Sequence, residues 1–108
     1  MDTIKSQKTE DLIKTVLALE TTREARMFLR DLLTEKELLE LGNRWRAVQL
    51  LDMTVPYTQI GQATGLSSTT IARISKWLKT GAGGYRLMLN RISKKHHRTS
   101  SCSRKGLL

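Results

Sequence analysis

Between Pro56 and Leu78 the sequence reads PYTQIGQATGLSSTTIARISKWL, and one glycine, Gly65, separates two stretches whose apolar residues recur at helical spacing. Ile60 falls on the inner side of the first stretch, and Gly61 is small where two helices would approach. Gly65 follows four residues later, at a turn that calls for left-handed backbone angles. Ser67 stands where its hydroxyl can cap the second helix. Ile71, Ile74 and Leu78 then follow at spacings of three and four, a stripe suited to packing on Ile60 and Leu66. These constraints predict a helix-turn-helix over about residues 57–78.

Placing the second helix on a wheel puts Ser68, Thr69, Ala72, Arg73 and Lys76 roughly opposite that inner stripe, and Ser67 and Thr70 at the head of the helix are counted with them as DNA-binding residues. The face is small, polar and basic. Short hydroxyl side chains let a helix sit deep in a major groove and bond to base edges or bridging water, while Arg73 and Lys76 have the length to reach phosphate. A helix-turn-helix can also serve as a packing or protein-docking element, so the charge of the chain decides between the two uses.

That charge is one-sided. Of the 108 residues, the first 52 carry 9 Lys or Arg and all 10 acids, whereas residues 53–108 carry 10 Lys or Arg and no acid. Asp52 is the last carboxylate. A half-chain without carboxylates presents an uncompensated positive field that favours polyanions, and it raises the weight of DNA binding over a merely solvated basic surface. No nucleophile, base and orienting group occur together, so the pattern supports no enzyme and calls for no cofactor. Adjacent His96 and His97 lie beside Lys95 and Arg98 in a stretch without periodicity, which is a poor metal scaffold. The single Cys102 has no internal partner for a disulfide. Without a signal-peptide pattern or a membrane-length apolar run, the expected location is the cytoplasm.

The rest of the chain also has helical period, with no strand alternation. A first helix is predicted over about Thr9 to Leu19. Thr21 with Glu24, and Thr34 with Glu37, repeat the S/T-x-x-E capping pattern and predict the starts of a second and a third helix. The third, ending near Asp52, carries Leu38, Leu41, Trp45 and Val48 on one stripe but Leu39 and Leu50 elsewhere. One partner surface would not cover both sides, and in so small a chain this favours a dimer over a compact monomer. Gly81, Gly83 and Gly84 should stop the fifth helix through left-handed backbone angles, and a short sixth is predicted over Tyr85 to Ile92. A helical domain of residues 1–92 is thus expected, followed by a basic, disordered tail at 93–108.

Three blocks resemble the trp-repressor-like regulators, in particular the YerC/YecD-type branch: LLTEKELLELGNRWRAVQLL, YTQIGQATGLSSTTIARI and GGYRLMLNR. The resemblance spans about Leu12 to Ile92. It implies an all-α, six-helix fold and an intertwined homodimer whose helices outside the helix-turn-helix interlock across the two-fold axis. The family's base-contacting positions fall on Ser68, Thr69 and Ala72, which the wheel had already placed outward, and on Thr58, where the repressor has an arginine. Loss of that guanidinium implies a different operator.

The corepressor pocket carries over as Thr34, Arg44 and Arg73, but Ile74 and Trp77 stand where the family has a glycine and a serine. Both add bulk, so the site should be filled by core side chains and tryptophan should not be required; any small-molecule effector stays open. Trp45 and Trp77 are read as core residues. The combined expectation is a dimeric regulator, in the sense of a repressor, that reads double-stranded DNA with its fifth helix and has no membrane association. The alternative is a basic interaction module for RNA or an acidic protein.

Overall fold

The computed structural model describes residues 3–94. Five helices run as α1 (Gln7–Ala18), α2 (Thr22–Leu32), α3 (Glu35–Asp52), α4 (Tyr57–Thr64) and α5 (Ser68–Thr80), and α6 occupies residues 84–94. The expected six-helix, all-α fold is present, with no strand among the described residues.

Side-chain caps set the helix starts. The Ser6 hydroxyl accepts the Thr9 amide at 3.2 Å, so α1 begins at Gln7, two residues before its predicted start. At α2 the Thr21 hydroxyl accepts the Glu24 amide at 3.0 Å, but the Glu24 carboxylate accepts from Glu20, one residue before the cap, at 2.8 Å. Only α3 closes a full capping box, since Thr34 Oγ1 accepts from the Glu37 amide and Glu37 Oε1 accepts from the Thr34 amide.

Two compact units divide between Glu40 and Leu41, inside α3. In the first, no described residue is buried, and Leu12, Ile13, Val16, Leu17 and Met27 are all exposed. The second contains the core, in which Ala47, Val48, Leu50, Ile60, Ile71 and Ile74 are buried, with Trp45, Leu66, Leu78, Tyr85 and Leu89 packed against them. Val48 and Leu50, from different sides of α3, are both in that core, while Leu39 and Leu41 are exposed.

The helix ends of the second unit differ from one another in mechanism. Gly65, at φ 77° and ψ 3°, takes the predicted left-handed cap of α4. Gly81 does not: its φ is −83° and ψ −154°, and what it supplies is clearance, because a Cβ there would lie 2.5 Å from the Trp77 carbonyl oxygen. Gly83 has the positive φ of that stretch, 96°. α6 starts one residue earlier and runs two residues further than its apolar pattern, so residues 93 and 94 are helix and not tail. Arg86 Nη1 donates to Asp52 Oδ1 at 3.0 Å, tying α6 to the end of α3. The expected tail disorder, His96, His97 and Cys102 lie outside the described residues.

Candidate nucleic-acid interface

α4 and α5 form the helix-turn-helix that the sequence predicts. Ile60 from α4 and Ile71 and Ile74 from α5 are fully buried and anchor the pair to the C-terminal half of α3. Burying each such side chain contributes about 1.5–3 kcal/mol, which fixes which face α5 turns outward. Gly61 lies at the close approach, where a Cβ would meet the Leu66 carbonyl at 3.4 Å and Ile71 Cδ1 at 3.9 Å. That is ordinary contact, so its lack of a side chain is less compelled than its position suggests.

The turn contains a residue that sequence reasoning missed. Thr64 is buried, its hydroxyl donating to the Ile60 carbonyl at 2.7 Å and accepting from the Leu66 amide at 3.2 Å. It thereby satisfies a backbone donor just past the left-handed Gly65 and fixes the path into α5. The signal was a hydroxyl residue immediately before the turn glycine. Ser67 then caps α5 as expected, accepting the Thr70 amide at 3.1 Å and donating to Thr70 Oγ1 at 3.0 Å. Ser67 and the half-buried Thr70 are therefore engaged with each other at the head of the helix.

Ser68, Thr69, Ala72, Arg73 and Lys76 are all exposed along α5, and Thr58 is exposed at the start of α4. Neither the Ser68 nor the Thr69 hydroxyl is tied up in a cap, so both can bond outward. No acid follows Asp52 in the sequence, hence no carboxylate of α4, α5 or α6 opposes a polyanion. The face offers two hydroxyls, a methyl and two cations on a rigid element.

Of the residues expected in an effector pocket, Arg44, Arg73, Ile74 and Trp77 belong to the second unit and Thr34 to the first. Ile74 is in the core. Arg73 is exposed and Arg44 half-buried, while Thr34 is the α3 cap in the first unit. Trp77 corrects the reading of it as a core residue, because it is 44% exposed. Together with Trp45, Tyr85, Met88 and the 82–84 turn it lines an open apolar cavity of about 590 Å³. The Trp45 and Tyr85 rings lie 6.3 Å apart between centroids. The reason is geometric: Trp77 lies three residues after Ile74, and while Ile74 faces the core its indole is left at the rim of that stripe.

Residues 7–93 match the Trp repressor protein family. The uncharacterized protein YerC of Bacillus subtilis (strain 168) is 28% identical over 101 residues, covering 94% of this chain and 97% of its own. A solved TrpR-like protein from Eubacterium eligens ATCC 27750 is 31% identical with a TM-score of 0.80, over 86% of this chain and 96% of that one. A structure described as a candidate Trp repressor from Staphylococcus aureus is 28% identical with a TM-score of 0.77, over 84% and 94%. With its helix-turn-helix and six-helix architecture already in place, the chain belongs to the Trp repressor protein family.

Proposed function

We propose that the protein is a dimeric, sequence-specific DNA-binding transcription regulator, acting as a repressor. The observation that carries this reading is the exposed, acid-free face of α5, mounted on a core that holds the helix by Ile71 and Ile74. Ser68, Thr69 and Ala72 meet base edges, directly or through water, and Arg73 and Lys76 meet phosphate. Ser67 and Thr70 shape the head of the helix. Thr58 brings a short hydroxyl where an arginine could have read guanine, so the operator differs from that of the tryptophan repressor.

Two features support a homodimer. Residues 1–40 have nine acids against seven Lys or Arg and no buried side chain among those described, whereas residues 41–108 have one acid against twelve Lys or Arg. A second copy offers each unit both apolar cover and opposite charge. Two α5 helices would then read half-sites about one turn, roughly 34 Å, apart. Ile74 is a core residue at the position where resemblance puts the glycine beside the ligand, and this supports a regulator that acts without tryptophan. No helix among the described residues is long and apolar enough to cross a membrane, and the proposed site of action is the cytoplasm.

The test is selection of bound fragments from the source genome, with and without free tryptophan and other amino acids. Enrichment of one palindromic site without any amino acid supports the proposal. Binding that falls with salt but prefers no sequence would favour a general polyanion-binding module instead.

A further inference from the structure

The connection between α3 and the helix-turn-helix is Met53-Thr54-Val55-Pro56, and it is built from residues that restrict the backbone. Thr54 has φ 58°, the one positive φ outside glycine among the described residues. The hydrogen bonds around it form a Schellman closure of α3: the Thr54 amide donates to the Leu51 carbonyl at 2.9 Å and the Val55 amide to the Leu50 carbonyl at 3.0 Å. Leu50 is in the core and Val55 packs against that core, in keeping with the apolar contact that usually accompanies the motif.

The position after such a helix end is one for glycine or asparagine, and a β-branched residue there is strained. Elsewhere this unit uses glycine for positive φ, at Gly65 and Gly83. Thr54 instead keeps a branched side chain, its hydroxyl donating to the Met53 carbonyl at 2.5 Å. Val55, itself branched, is confined to extended angles by the following proline. Pro56, with φ locked at −62°, is the N-cap of α4 and makes no side-chain cap bond. Three consecutive residues therefore resist rotation at the point where the helix-turn-helix is mounted. Strain held at a joint beside a binding element is a mark of function when a cheaper residue would serve the fold alone.

We propose that Thr54 is a positioning residue, whose branched side chain at positive φ locks the α3–α4 joint and so fixes the angle at which α5 is presented to DNA. The inference rests on the DNA-binding reading given above, but its structural half can be measured without DNA.

Thr54→Gly, Thr54→Asn and Thr54→Val in the full chain separate stability from positioning. Thr54→Gly should raise Tm by about 4 °C as strain is relieved. It should also widen the spread of distances between spin labels on exposed positions of α3 and α5, because glycine allows a broader range of angles in the same well, and weaken binding to the selected site by about tenfold, the scale of one base contact. Thr54→Asn, which tolerates left-handed angles without a branch, should lie between Thr54→Gly and the natural chain. Thr54→Val should have a Tm at or below that of the natural chain, with distance spread and affinity within about twofold of it. The stability order and the binding order are thus opposite. A Thr54→Gly chain with higher Tm but unchanged distance spread and affinity overturns the proposal, as does one with lower Tm. If the natural chain selects no DNA site, the regulator reading fails, while the distance distributions still decide whether Thr54 locks the joint.

Discussion

Thr34 and Glu37 exchange hydrogen bonds at the head of α3: the Thr34 hydroxyl accepts the Glu37 amide at 3.1 Å and the Glu37 carboxylate accepts the Thr34 amide at 2.8 Å. Thr34 is also the position that family resemblance assigns to a ligand. Its hydroxyl is therefore a structural group first. Thr34→Ala should lower stability by about 1 kcal/mol, visible as a lower Tm by thermal melting, and by the same amount with and without free tryptophan. A loss that appears with tryptophan alone would restore the ligand role.

Ile74 gives the sharper discrimination between core and pocket. It is fully buried against α3 and α4 residues, so Ile74→Ala should destabilise by about 2–5 kcal/mol in urea unfolding. If truncation were mild and created tryptophan-dependent DNA binding, the side chain would be blocking a ligand site and not supporting the core.

The two glycines of the helix-turn-helix should respond oppositely. At Gly65 the positive φ makes Gly65→Ala destabilising by more than about 1 kcal/mol, although there is open space around it. Gly61 lies inside α4 with room for a methyl, and Gly61→Ala should be neutral or stabilising by up to about 1 kcal/mol. Paired melting curves of the two variants check this.

On α5, hydroxyls and cations should separate in a binding assay across salt concentrations. Arg73→Ala and Lys76→Ala should each weaken binding to all sequences and reduce the salt slope of the dimer by about 2, one contact in each half-site. Ser68→Ala or Thr69→Ala should leave the slope alone and change which site is preferred. A Thr69→Ala chain with unchanged preference would remove that residue from base reading.

Helix existence, the Thr21, Thr34 and Ser67 caps and the outward face of α5 were legible because they depend on spacing within one or two turns. The exposed state of Ser68, Thr69, Ala72, Arg73 and Lys76 follows from the burial of Ile71 and Ile74, and an apolar stripe fixes its opposite side. What the pattern could not supply was backbone angle and neighbour identity. Gly81 provides clearance and not a left-handed turn, and Thr54 takes the angle a glycine would be expected to hold. Trp77 illustrates the same limit, since bulk in sequence does not say whether an indole points into a core or lines an open cavity. Thr64 went unread because a buried hydroxyl and an exposed one look alike in one dimension.

The first forty residues have helix boundaries written in their own caps and yet no interior of their own. In that unit, local sequence decides the shape of each helix while the free energy of staying folded has to come from a surface outside it. Its order is therefore conditional, a property that dilution, truncation or the loss of a covering partner would reveal before any damage to the core around Ile60, Ile71 and Ile74.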